Sequence, residues 1–143
     1  MKPSDYIKNN EGLILKPYKD VVNVWTIGYG HNLEEGISKT TADFIFDEDL
    51  STAESNVNEI FGESEHLIPV LDGLSYDRWV SLVDMMFNLG KTRFSKFKKM
   101  IAAIKIGDWE IAAKECLDSK YAIQVPGRAK RNANLLLTGK FKK

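Results

Sequence analysis

The chain lacks almost everything that would staple, anchor or export it. Cys116 is its one cysteine in 143 residues, so no internal disulfide can form and a disulfide-stapled scaffold is excluded. No run of about 18 apolar residues occurs, which excludes an ordinary membrane-spanning helix. The opening stretch MKPSDYIKNNEG has neither an apolar signal core nor a small-residue cleavage site. The protein is therefore expected to be made as a soluble cytoplasmic chain. No repeat, low-complexity tract or linker interrupts it. Net charge is absent as well: 20 Lys and Arg balance 20 Asp and Glu, which by itself argues against a nucleic-acid or membrane partner.

That zero conceals a division. Residues 1–90 carry 6 Lys or Arg against 16 Asp or Glu, whereas residues 91–143 carry 14 against 4. Two readings stay open: a polyanionic partner for the basic half, or oppositely charged helix faces that attract each other within one fold.

What is present is an apolar pattern sufficient for one domain. With 43 % hydrophobic residues, a chain of this size buries a core without metal or disulfide. Pro3 and Ser4 open a short helix that Gly12 ends, with Tyr6 and Ile7 facing inward and Glu11 in its last turn. From Leu13 to Leu33 the pattern changes to alternating and β-branched residues, including Val21, Val22 and Val24, punctuated by Pro17, Asp20, Asn23, Gly28 and Gly30. That is a small antiparallel sheet.

Ser38 caps a long helix carrying Phe46, Leu50, Ala53, Val57, Ile60 and Phe61 at spacings of three and four. Four further helical patterns follow. One holds Trp79, Leu82, Val83, Met86 and Phe87 and ends at Gly90; one holds Phe97, Ile101 and Ile104; one starts after Asp108; the last runs from near Pro126 to Gly139. Cys116 lies in an apolar stripe with Trp109, Ala112, Ala113 and Leu117 and reads as a buried structural thiol. The fold class is α+β, mainly helical. The first helix is expected to dock on the helical lobe, because alone its few apolar residues bury too little to hold it.

Chemistry concentrates in one stretch. Glu11 is followed after eight residues by Asp20 and after five more by Thr26, then by Ile27-Gly28-Tyr29-Gly30-His31. This spacing resembles the signature of the phage-type lysozymes, a family of glycoside hydrolases. The resemblance continues at Asp49-Leu50, at Met86-Phe87-Asn88-Leu89-Gly90, from Gly107 to Ala113, and at Gln124-Val125-Pro126-Gly127-Arg128-Ala129-Lys130-Arg131. It spans essentially the whole chain in order.

The resemblance implies a lysozyme-like arrangement within one domain. A sheet lobe covers about 13–37, a connecting helix about 38–61, and a helical lobe 1–12 plus about 62–143, with a cleft between the lobes. Its implied activity is cleavage of the β-1,4 bond between N-acetylmuramic acid and N-acetylglucosamine in bacterial peptidoglycan, used by a phage for host-cell lysis. No cofactor and no metal are expected, and the implied state is a monomer that binds no nucleic acid and inserts stably into no membrane. The enzyme would wait in the host cytoplasm until a separate holin releases it to the wall.

Glycosidic cleavage needs an acid for the leaving oxygen and a second carboxylate on the opposite face of the sugar. Glu11 is the candidate acid: at the end of a helix the negative end of the dipole disfavours the charged carboxylate and keeps a proton available. Asp20, in a turn supplying water and backbone N–H groups, suits the ionised partner. The resemblance assigns Asp20 and Thr26 to the attacking water in an inverting reaction and sets Arg128 against Glu11.

It pairs His31 with Asp49 as a structural ion pair and places Gly30, Asn32, Phe87, Asn88, Lys120 and Arg128 along the substrate. Phe offers a face for a sugar ring, and Asn offers both donor and acceptor to an N-acetyl amide. Phe87 reads equally as a core residue. Met100 and Glu115 stand where the family's cleft carries small polar residues. A catalytically silent peptidoglycan-binding module is the competing reading, opposed by the intact Glu11, Asp20 and Thr26 set.

Overall fold

The computed structural model describes residues 1–62 and 74–142. Residues 63–73, expected within the helical lobe, lie outside the described residues. The chain divides into two compact units, Met1–Ile45 and Phe46–Lys143.

In the first unit, Pro3 occupies the first turn of α1 (Pro3–Glu11), where a missing N–H costs nothing. Ser4 does not cap it; Lys2 stands at the cap without a side-chain bond. Gly12 ends the helix at φ +71°, its N–H donating to the Lys8 carbonyl at 2.9 Å. Tyr6 and Ile7, expected inward, are both more than half exposed. By the division above α1 belongs with the sheet, whereas the sequence reading grouped residues 1–12 with the helical lobe.

Three antiparallel strands follow in the order β1 (Ile14–Lys19), β2 (Trp25–Gly28) and β3 (His31–Asn32). Tyr18 and Asn32 flank Thr26 from the two sides of β2. Pro17 is tolerated because β1 is an edge strand, and the register is irregular around it, between Ile14 and Tyr18. Val21 and Val22, expected as strand residues, form instead the tip of the β1–β2 turn and stand exposed. Local bonds to Asp20 outweigh their β propensity. A 3₁₀ turn, Leu33–Glu35, follows the sheet, and α2 (Lys39–Phe61) begins with Ser38 Oγ accepting from the Thr41 N–H at 3.1 Å.

The second unit takes up α2 from Phe46 and adds α3 (Tyr76–Phe94), α4 (Lys98–Lys105), α5 (Trp109–Leu117), α6 (Lys120–Gln124) and α7 (Pro126–Thr138). Gly90, at φ +76° and ψ 164°, breaks the helical path inside α3. Asp108 caps α5 through the Ile111 N–H at 3.1 Å, and Gly139 ends α7 in the left-handed conformation. The five-residue α6, which the periodicity did not reveal, is capped by Ser119 through the Ala122 N–H.

The core of this unit gathers Val57, Leu82, Met85, Met86, Phe94, Met100, Ile104, Cys116 and Leu136, each no more than 1 % exposed. Burial of each such side chain stabilises the fold by about 1.5–3 kcal/mol before the entropy of ordering it is subtracted. Arg78 closes the far end of α7: its Nε donates to the Leu136 carbonyl at 2.7 Å while its guanidinium lies 4.0 Å over the Trp109 ring. A cation at a helix C-terminus satisfies carbonyls that have no partner inside the helix.

Candidate active site

The sheet unit assembles Glu11, Asp20, Thr26, Gly30, His31 and Asn32. Glu11 is the last residue of α1, and its carboxylate stands against the β2–β3 turn. A Cβ placed on Gly30 would lie 2.5 Å from Glu11 Oε2, so any side chain there would displace the carboxylate. Lys8, three residues earlier on α1, lies 5.1 Å over the ring of Tyr29 in the same turn. This cation–π contact ties the end of the helix to the turn that faces Glu11.

Asp20 sits half-buried at the end of β1, and its Oδ1 accepts the N–H of Val22 and of Val24, each at 2.9 Å. The carboxylate thus organises its own turn, a local competition that favours Asp at such positions. Thr26 is 3 % exposed, and its hydroxyl donates to the Val24 carbonyl at 2.9 Å. The two residues expected to hold a water therefore both bond to Val24, Asp20 to its N–H and Thr26 to its carbonyl.

His31 Nε2 lies 2.8 Å from the Gly36 carbonyl. A carbonyl only accepts, so Nε2 carries the proton. The Asn32 side-chain oxygen is already engaged, accepting the Glu34 N–H at 2.9 Å. That leaves the two N–H donors of its amide and one lone pair of the oxygen for a ligand.

The helical unit holds Asp49, Phe87, Asn88, Lys120 and Arg128. Phe87 and Asn88 are exposed at the end of the α3 stripe, just before the break at Gly90, and Phe87 lies 5.6 Å from the ring of Phe46. At 39 % exposed, Phe87 is a surface ring with a neighbour, outside the core.

Arg128 is gripped by a residue that the sequence reading did not single out. Its Nε and NH2 donate to the two carboxylate oxygens of Asp84 at 2.8 and 2.6 Å, a bidentate pair. Asn132 Nδ2 donates to Asp84 Oδ2 at 2.7 Å and to the Tyr121 hydroxyl at 2.9 Å. Burial pushes the Asp84 carboxyl up, but the hydrogen bonds from Arg128 and Asn132, with the charges of Arg128 and Arg131, hold it below its ordinary range. The one available signal was an acidic residue inside the apolar stripe Leu82, Val83, Met86.

A pocket of about 740 Å³ opens between α4 and α6, lined by Phe97, Met100, Glu115, Lys120, Tyr121 and other residues. Lys120 opens α6 and is exposed, whereas Met100 is wholly buried, leaving the half-exposed Glu115 as the polar group of that pair. Among the described residues no group of three or more His, Cys, Asp or Glu could hold a metal ion, and no helix is long and apolar enough to cross a membrane.

The phage lysozyme family matches residues 8–134, a span that contains every candidate residue named above. The chain belongs to the phage lysozyme family. Among its relatives, a probable T4-type lysozyme 2 of Dictyostelium discoideum is 28 % identical, with 96 % of this chain and 95 % of the relative aligned. The pre-baseplate central spike protein Gp5 of Enterobacteria phage T4 is 27 % identical over 97 % of this chain, which there corresponds to 28 % of the spike protein. An endolysin of Acyrthosiphon pisum secondary endosymbiont phage 1 is 27 % identical, with 76 % of this chain and 70 % of the relative aligned. Membership of the phage lysozymes makes the chain a glycoside hydrolase directed at peptidoglycan.

Proposed function

We propose that the protein is a muramidase that hydrolyses the β-1,4 bond between N-acetylmuramic acid and N-acetylglucosamine with inversion. Glu11 protonates the leaving oxygen. Asp20 and Thr26 hold the attacking water, Asp20 taking its proton as the bond forms. Gly30, Asn32, Phe87, Asn88, Lys120 and Arg128 bind the glycan, Arg128 with its guanidinium plane set by Asp84. His31 serves the fold, its Nε2 donating to the Gly36 carbonyl.

The observation that carries the reading is the join between Asp20 and Thr26 through Val24. The two side chains are oriented by one residue, Asp20 by its N–H and Thr26 by its carbonyl. In use, the enzyme acts as a monomer in phage-induced lysis, held in the host cytoplasm until a holin opens the way to the wall.

Clearing of permeabilised Gram-negative cells tests the assignment. Glu11→Gln removes the transferable proton while keeping shape, and clearing should fall by at least about 100-fold. If wild type and Glu11→Gln clear at the same rate, the muramidase reading fails. If neither clears but both sediment with peptidoglycan, the protein is a binding module and the reading fails equally.

A further inference from the structure

Asp20 and Thr26 take their geometry from a turn whose conformation depends on a residue outside the chemistry. The turn is closed by the Asp20 N–H on the Val24 carbonyl and the Asn23 N–H on the Asp20 carbonyl, both at 3.0 Å. To these are added the two bonds to Asp20 Oδ1 and the bond from the Thr26 hydroxyl to the Val24 carbonyl. The bonds that tie Asp20 to Val24 require the chain to reverse at Asn23, which has φ +66° and is the one non-glycine at positive φ among the described residues. Most L-residues are strained in that conformation; Asn tolerates it, and β-branched residues do so worst.

Donor and acceptor roles follow from the same bonds. The Val24 carbonyl cannot donate, so the Thr26 hydroxyl proton points to it and only lone pairs remain to meet a water. An ionised Asp20 also offers only acceptors, and its Oδ1 is occupied by two N–H groups. A water between them therefore donates both of its protons, one to Asp20 and one to Thr26. Its lone pair is left for the sugar carbon.

We infer that Asn23 is a positioning residue of the hydrolytic site: its left-handed backbone sets Val24, whose N–H and carbonyl align Asp20 and Thr26 to hold the water as a double donor. The inference rests on the proposed muramidase reading and deepens it. Asn23 touches neither substrate nor water; it acts through Val24.

The test uses the full chain and soluble peptidoglycan fragments, with kcat and KM measured for Asn23→Gly, Asn23→Ala and Asn23→Val. Glycine adopts the required φ without strain, so Asn23→Gly should keep kcat within about twofold. Asn23→Val should lower kcat by about 10- to 100-fold with KM within about twofold, the signature of misplaced reacting groups. Asn23→Ala should fall between them. Amide exchange at Val22 and Val24 gives a readout independent of turnover: protection should persist in Asn23→Gly and vanish in Asn23→Val. If the valine variant does not fold, the alanine and glycine pair decides.

Equal kcat for the glycine variant and its β-branched or alanine counterpart overturns the inference, as does a loss confined to KM. An inactive Glu11→Gln beside a fully active Asn23→Val would sink this inference alone. An active Glu11→Gln would sink the muramidase reading itself.

Discussion

Glu11 and Gly30 are in contact by virtue of an absence. The Glu11 carboxylate occupies the space that a side chain at Gly30 would fill, 2.5 Å from where its Cβ would stand. Gly30 also has φ +75°, and Gly28, two residues earlier, has φ +69° with nothing within 4 Å of its missing Cβ. The pair separates two effects that usually come together. Gly28→Ala carries the backbone strain alone, about 1–2 kcal/mol, whereas Gly30→Ala carries the strain and also displaces the candidate acid.

Both variants should therefore melt lower by roughly 3–8 °C, but only Gly30→Ala should lose clearing activity, on the order of 100-fold. Thermal melts and turbidity assays on the two proteins check this. Equal activity in both would mean that Glu11 does not need its place beside the turn.

Asp84 makes stability depend on pH. Its folded-state carboxyl is held below its ordinary value of 3.8. A depressed carboxylate contributes stability that is fully present above the unfolded value and disappears as pH falls through the folded one. Asp84→Asn keeps the shape and removes the charge. With both partners about one-third exposed, the loss at pH 7 should be only about 1–2 kcal/mol after solvent screening. Urea unfolding of wild type and Asp84→Asn should show that difference at pH 7 and a smaller one below about pH 4. A difference unchanged between pH 7 and pH 3 would remove the charge from the explanation.

The parts that were legible beforehand are those whose chemistry is local. Ser38 and Asp108 are caps because an oxygen two to three residues before an N–H can satisfy it, and Gly90 and Gly139 end helical paths because they alone accept positive φ there. The order Glu11, Asp20, Thr26 was legible because one helix end and one hairpin hold all three. Val21 and Val22 misled because propensity describes a residue, and the Asp20 carboxylate together with Asn23 overrode it. The helix at Lys120 escaped because five residues are too few for a period to repeat. Asp84 was illegible as a partner of Arg128 because 44 residues separate them, and only the packing of α3 on α7 brings them together.

Cys116 should be silent until the core opens. It is wholly buried, and burial pushes its thiol from 9.0 up to about 12. Thiolate is the reactive form, so a disulfide reagent or iodoacetamide at pH 8 should label the native protein negligibly and the urea-unfolded protein fully. A raised thiol value also has a sign for stability. The neutral form is favoured in the fold, so its contribution is complete below about pH 9 and is lost as pH rises from there toward 12. Rapid labelling of the native chain at pH 8 would show that α5 opens far more readily than its packing implies.

The stereochemistry of the product bears on the role of Asp20. Its Oδ1 accepts two backbone N–H groups, from Val22 and Val24. These bonds occupy Oδ1 and fix the plane of the carboxylate, leaving Oδ2 to receive a proton from a water held beside it. Thr26, tied to the same Val24, adds a second acceptor beside it and so favours a water over direct attack by the carboxylate. Water attacking the face opposite the leaving group of a β bond gives the α anomer first. Proton NMR of the new reducing end, recorded before mutarotation equilibrates it, should show the α anomer in excess. An early excess of the β anomer would demand two displacements and a glycosyl ester on Asp20, and the water-holding role of Thr26 would then belong only to the second of them.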